Sequence, residues 1–287
     1  MVLLYLHDST YNIDMRLIKK LVPFLVVFSI VFCFIRSNDQ YDIRVLLASS
    51  DGTPWLYAVV GTIFGLLAAF VIQKEWGKWD ALIVAVRGEV DGLEELYLWS
   101  SHFPEKIKGK MRAHIKSYLD LVAHEGWRDN KKGIKSPEIE EVIAGLNTSI
   151  YEIFNVAPQL VPTSFELLSN ILRNRSSRLE YSRQHMPPLL KNTLQFSAFL
   201  LIGLSMFIAI KDIWLALLFT ASIAGLAFSI FLILIDLDNP LEPGDWNVTA
   251  RGYKELLQKI TAVTNAEKHE PSLILPSSTS PQQNPKF

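Results

Sequence analysis

The residues best suited to hold an ion are concentrated in one acidic, proline-rich turn. Asp236, Asp238, Asn239 and Asp245 fall within this turn. Carboxylate and amide oxygens can contact a cation, but this turn supplies only a few of them. The acids and prolines are also what the end of a membrane helix at the aqueous surface requires. The turn is therefore a possible ion contact, and no metal site is assigned.

Elsewhere the sequence contains no recognisable catalytic motif. The six histidines show no metal-ligand spacing, and the segment starting at His124 begins like a zinc-protease helix but lacks its second histidine. Glycine-rich phosphate loops and Gly-x-Ser-x-Gly are also missing. The formal net charge is -1, with no basic stripe between exposed aromatics, so a nucleic-acid partner is not expected. We predict no enzyme activity, no catalytic residue and no cofactor.

Four apolar segments interrupt an otherwise charged chain. A helix of about 20 apolar residues crosses a bilayer, which makes each segment a candidate span. The last two are separated only by Lys211 and Asp212, which predicts a tight membrane hairpin. The predicted spans are Leu21–Ile35, Trp55–Ile72, Thr193–Ile210 and Ile213–Ile235.

The segment between spans two and three is charged but has apolar residues at helical spacings of three and four. No strand-like alternation occurs. We therefore predict an all-α membrane protein with four transmembrane helices and a cytoplasmic helical bundle inserted between spans two and three. Span two should continue into the bundle as one long helix, with close packing at its glycines. Its acids Glu89, Asp91, Glu94 and Glu95 are expected on the solvated face.

Basic residues next to the spans indicate the orientation of the protein. They cluster before span one, after span two and before span three, which places both termini in the cytoplasm, with the chain in the plasma (inner) membrane. The predicted order is a cytoplasmic N-terminal segment (1–20), spans one and two (21–72), the cytoplasmic helical domain (73–192), the hairpin (193–235), the acidic turn with an amphipathic helix (236–264) and a disordered tail (265–287).

Several local motifs resemble one family. They are Trp76-Gly-Lys-Trp-Asp80, His124-Glu-Gly-Trp127, the Pro187-Pro188 pair after an arginine-rich helix, and Asp236-Leu-Asp-Asn-Pro240. Together, over about residues 15–262, they resemble the bacterial bestrophin-like membrane proteins, a family of unassigned function that is distantly related to the bestrophin anion channels. The resemblance implies a homo-oligomer, possibly a pentamer, in a lipid bilayer, with small anions as the permeant species.

The resemblance also bears on particular residues. In animal bestrophins the loop after the last membrane helix helps to bind calcium, so the resemblance implies calcium as the ion for the acidic turn. Here, however, Leu241 replaces the expected phenylalanine and the following acids are reduced to Asp245, so the turn offers fewer than the about six to eight oxygen ligands that calcium takes. Bestrophins line the pore with apolar and aromatic side chains of span two, and the nearest counterparts here are Gly61, Phe64 and Gly65.

The leading functional hypothesis is a bestrophin-like oligomeric channel for small anions. The nearly uncharged spans disfavour a proton-relay transporter, because ionisable groups usually mark such pathways. The alternative is a non-conducting membrane scaffold or sensor whose cytoplasmic bundle binds a protein partner.

Overall fold

The computed structural model describes residues 19–34, 53–127, 136–206, 210 and 212–269, and all regular structure in these ranges is helical. Short 3-10 turns occupy Ser100–His102 and Pro158–Leu160, and a π turn occupies Val122–Gly126. The helices are α1 (19–34), α2 (Thr53–Trp99), α3 (Glu105–Leu121), α4 (Pro137–Phe154), α5 (Val161–Tyr181), α6 (Pro188–Met206), α7 (Ile213–Asp238) and α8 (Arg251–His269).

Helix α2 runs through both layers of the protein. Its 47 residues extend about 70 Å at a rise of about 1.5 Å per residue. The first part packs against α6 and α7, and the second part packs against α3, α5 and α8. The prediction that span two continues without a break into the helical domain is therefore confirmed.

Two separate apolar cores result from this arrangement. The membrane-side core contains Phe64, Ala68, Val71, Leu194, Ala198, Leu201 and Leu234. The second core is larger and includes Leu93, Leu96, Met111, Ile115, Leu146, Ile150, Tyr253 and Ile260. Helix α1 lies against α7, where the rings of Phe24 and Phe228 stack with centroids 4.2 Å apart.

Among the described residues, two helices are long and apolar enough to cross a membrane, Trp55–His102 and Ile213–Asp238. They contain predicted spans two and four. Predicted spans one and three fall on α1 and α6, and α6 begins at Pro188, five positions before the predicted start at Thr193. The predicted N-terminal segment up to residue 18, Lys211 and the tail from residue 270 lie outside the described residues.

The amphipathic helix after the acidic turn is present as α8, and it packs on α2 and α3 through its apolar face. It continues to His269, past the predicted boundary at 264. The boundary was placed early because Lys268 and its neighbours carry little apolar signal, although such residues are compatible with a helix.

Two glycines allow α2 to approach α5 closely. A Cβ at Gly92 would lie 2.8 Å from Ile171 Cγ1, and one at Gly88 would lie 2.7 Å from Asn174 Nδ2. At Gly77 a Cβ would meet no atom within 4 Å. Close packing therefore explains the glycines at 88 and 92, as predicted, but does not explain Gly77.

This contrast predicts opposite effects of two alanine substitutions. Gly92→Ala should destabilise the protein by about 1 to 3 kcal/mol, because the added methyl overpacks the contact with Ile171. Gly77→Ala should be neutral or stabilise it by up to about 1 kcal/mol through helix propensity. Thermal unfolding in detergent, followed by tryptophan fluorescence, measures both; equal shifts for the two variants would contradict the packing argument.

Candidate functional site

One face of α2 is uncovered along most of the helix. Exposed side chains recur every three or four positions, which is the period of a single helical face. In the membrane half the face is apolar, and beyond Gln73 it becomes mostly charged. Its residues are Ile63, Leu66, Phe70, Gln73, Gly77, Asp80, Val84, Arg87, Asp91, Glu95 and Leu98. We call this surface the open face of α2.

The three predicted pore residues have different surroundings. The Phe64 side chain is only 4% exposed and belongs to the core shared with α6 and α7. A Cβ at Gly61 would lie 3.5 Å from Leu201 Cδ1 of α6, whereas Gly65 is exposed with no atom within 4 Å of such a Cβ. The structure therefore places Gly61 and Phe64 toward α6 and Gly65 on an uncovered side of the helix.

The acidic turn is held by its own side chains. The Asp236 carboxylate accepts a hydrogen bond from the Asp245 backbone N at 3.0 Å, and Asn239 Nδ2 donates to the Ile235 carbonyl oxygen at 3.2 Å. The Asp238 carboxylate accepts from the Met186 backbone N. The first two bonds close the turn on the end of α7, and the third fastens it to the linker between α5 and α6. In the described part of the chain, no group of three or more His, Cys, Asp or Glu residues is arranged to hold a metal.

A buried ion pair joins the helices of the second core. Arg178 Nε donates to Glu89 Oε2 at 2.8 Å, and Arg178 Nη2 donates to Glu89 Oε1 at 3.1 Å. The Tyr118 hydroxyl also donates to Glu89 Oε1, at 2.7 Å. Glu89 is 0% exposed, so the prediction that it lies on the solvated face is wrong. The pair instead links α2, α3 and α5 in the interior.

Aromatic rings complete the surroundings of Arg178. Its Cζ lies 5.8 Å from the ring centroid of Tyr253 on α8 and 5.9 Å from that of Trp127. Both distances are within the range of a cation–π contact. The guanidinium thus lies between the Glu89 carboxylate and two aromatic rings, and Tyr253 brings α8 into the same cluster. We call Glu89, Arg178, Tyr118 and Tyr253 the buried charge cluster.

Burial and charge act together on the proton affinities of this cluster. Burial favours the neutral form of Arg178, but the charge of Glu89, its hydrogen bond and the two tyrosines together outweigh burial, and the pKa of Arg178 is raised. Burial, reinforced by Glu89, raises the pKa of Tyr118 well above its usual range. Burial likewise raises the pKa of Tyr253. At neutral pH Arg178 is therefore charged and both tyrosines are neutral.

Comparison with known proteins identifies the family. The Bestrophin-like domain matches residues 24–250. The chain belongs to the bestrophin-like family. No curated protein matches the sequence.

Solved structures share the fold of this bestrophin-like chain. A variant of a bestrophin homologue from Klebsiella pneumoniae superimposes with a TM-score of 0.70 at 10% sequence identity, covering 85% of this chain and 99% of the homologue. A second variant of that homologue gives 0.68 at 11% identity, with coverages of 88% and 98%. A structure described only as a membrane protein gives 0.68 at 11% identity, with coverages of 86% and 98%. The family makes this chain an integral membrane protein, and the structures share the helical fold of its described part.

Removal of one partner of the buried ion pair should destabilise this bestrophin-like protein strongly. Arg178→Met leaves the Glu89 carboxylate buried without its cation, which costs about 3 to 5 kcal/mol. The exposed Arg173 on the same helix is the matched control, and Arg173→Met should change stability by less than about 0.5 kcal/mol. Thermal unfolding of the two variants measures the difference; similar stability would show that the pair is dispensable.

The buried tyrosines predict a loss of stability in alkali. The folded pKa values of Tyr118 and Tyr253 are raised, so above pH 10 the unfolded chain releases protons that the folded chain retains. Stability is therefore fully present below about pH 10 and falls as the pH rises further. Unfolding midpoints between pH 8 and 11 measure this slope. Tyr118→Phe should reduce the slope of stability against pH. An unchanged slope would show that Tyr118 does not contribute to it.

Proposed function

We propose that this chain forms a homo-oligomeric ion channel in the plasma (inner) membrane, with the open face of α2 directed at the central axis. The observation that carries the proposal is the continuity of that face. It passes from Ile63, Leu66 and Phe70 in the membrane half to charged residues in the second half without interruption. A single uncovered face that serves both layers is what a helix lining a pore requires.

The apolar part of the open face would form the narrow segment of the pore. Ile63 is 58% exposed, Leu66 69% and Phe70 65%. Rings of such side chains from several copies can gate a pore by excluding water. Gly65, predicted as pore-lining, lies beside this row, and Phe64 supports the helix from behind by packing on α6 and α7. One chain has too few spans to enclose the path, so copies must assemble.

The proposed topology has four spans: α1, the first part of α2, α6 and α7. The described lysines next to these spans lie at one end of them: Lys19 and Lys20 at the start of α1, Lys74 and Lys78 after the membrane part of α2, and Lys191 at the start of α6. By the positive-inside rule this end is cytoplasmic, together with the helical domain of residues 73–192 and both termini.

A pentamer and small anions are proposed from the family resemblance. The open face adds a constraint, because below the membrane it carries three acids, Asp80, Asp91 and Glu95, against one Arg87. Acidic rings favour cations. The flux experiment must therefore measure chloride or nitrate and sodium separately.

The proposal predicts ion flux that depends on Leu66. Purified protein in liposomes should pass chloride or nitrate, and Leu66→Ala should raise the flux severalfold by widening the apolar ring. The control is Leu218→Ala on α7, where the side chain is 65% exposed but lies on a different helix. Sodium flux in place of anion flux would support the proposal of a channel but contradict the assignment of anions as its permeant ions. A well-folded oligomer without flux would contradict the channel itself.

A patch of exposed apolar side chains favours a second candidate function, a non-conducting scaffold. Near the end of α4, Tyr151 is 61% exposed, Phe154 62% and Val156 63%. Exposed apolar side chains of this kind are typical of protein-binding surfaces. The native mass of the detergent-solubilised protein separates the two functions, since a monomer or dimer cannot enclose the proposed pore.

A further inference from the structure

Three tryptophans form a compact cluster on one flank of α2, close to the membrane exit. The ring centroids of Trp76 and Trp246 are 4.7 Å apart, and those of Trp79 and Trp246 are 5.4 Å apart. Trp79 Nε1 donates to the Trp246 carbonyl oxygen at 2.8 Å. This bond fixes the cluster to the segment after the acidic turn. Trp76 is nevertheless 41% exposed, so a large aromatic edge remains uncovered.

A cavity of about 450 Å³ lies along the second half of α5. Leu172 and Leu179 line it together with Arg175 and Ser176, and the polar side chains at its membrane end are Glu180, Arg183 and Gln184. The leucines and the arginines together suit an aromatic side chain, because a ring can pack on the leucines while its face meets a guanidinium.

The cluster and the cavity lie on opposite flanks of the open face. Helix α5 contacts α2 at Gly88 and Gly92. On a helical wheel these positions are rotated by roughly 80° to one side of Asp91. Trp76 falls roughly 60° to the other side. Glu94, which pairs with Lys259 of α8, lies on that same side. If the open face points to an axis, the two flanks point to the two neighbouring copies.

The two surfaces also lie at the same height along α2. Lys78 Nζ donates to the Gln184 carbonyl oxygen at 3.4 Å, which places the membrane end of the cavity level with Lys78. Trp76 and Trp79 are two residues and one residue away from Lys78, or about 3 Å and 1.5 Å along the helix. Rotation about an axis normal to the membrane leaves height unchanged, so a ring of identical copies brings these two surfaces face to face.

We propose that the exposed edge of Trp76, backed by Trp246, inserts into the cavity at Leu179 and Arg183 of the adjacent copy. This contact rests on the proposed oligomeric channel and specifies how its copies meet. It is a head-to-tail contact, in which the tryptophan flank of each copy meets the α5 flank of the next, and it closes when the ring closes. Tryptophan and arginine are the residues that most often dominate binding energy at such contacts.

Cysteine cross-linking tests the contact, since the chain contains a single cysteine, Cys33. In a Cys33→Ala background, the double variant Trp76→Cys, Gln184→Cys should give a ladder of covalent multimers with a short bismaleimide. Each single variant should give none, because a head-to-tail contact never brings two identical positions together. The control pair is Trp214→Cys with Gln184→Cys, in which the replaced tryptophan is 74% exposed. A ladder from the control equal to that of the test pair would overturn the contact.

The native mass and flux of the unmodified protein separate two kinds of failure. A conducting oligomer whose test pair forms no ladder overturns the contact but keeps the channel. A monomer without flux overturns the channel and the contact with it. As a second measurement, Trp76→Ala should weaken assembly by about tenfold or more in a dilution series, whereas Trp214→Ala should leave it unchanged. Equal assembly of the two alanine variants would also contradict the contact.

Discussion

A single helix, α2, has to satisfy two different solvents. In its first part the uncovered residues must suit the apolar interior of a membrane, and in its second part they must suit water. The opposite side stays buried throughout, first against α6 and α7 and then against α3, α5 and α8. The change occurs near Gln73 on the open face, where Phe70 gives way to polar and charged residues.

The buried charge cluster shows how the second core is fixed in register. An apolar core alone tolerates sliding of helices, because its contacts are non-directional. Arg178 and Glu89 make two directional bonds, and Tyr118 adds a third from another helix. Tyr253 contributes the aromatic face from α8. An unpaired charge here would be costly, so alternative packings that separate Arg178 from Glu89 are disfavoured.

The sequence predicted the helical class, the uninterrupted α2 and the amphipathic α8 because each leaves a periodic apolar pattern. It did not predict the burial of Glu89, since acids were assigned to solvent by residue type. The signal was present in the spacing: Leu82, Val86, Glu89, Leu93 and Leu96 occupy one helical face. The partner on α5 could not be predicted, because pairing across 89 positions depends on tertiary packing. The tryptophan cluster and the α5 cavity were missed for the same reason.

The predicted pore residues illustrate a related difficulty. Phe64 was predicted to line the pore because it is an aromatic residue between glycines, but residue type does not specify which side of a helix is covered. Only the positions of α6 and α7 show that its ring is enclosed, while the adjacent Ile63 is exposed. In the acidic turn, likewise, the sequence showed the density of carboxylates but not that Asp236 and Asp238 bind backbone amides.

The unbroken α2 also has a mechanical consequence. No proline interrupts it between the membrane half and its end at Trp99. Because the tryptophan cluster holds the helix near Trp76, the part beyond the cluster would move as one stiff rod. About 35 Å of helix extends from Trp76 to Trp99. A tilt of about 5° would therefore displace the far end by about 3 Å, close to the thickness of an aromatic ring. Small rotations among the membrane helices would thus become side-chain-sized movements deep in the helical domain.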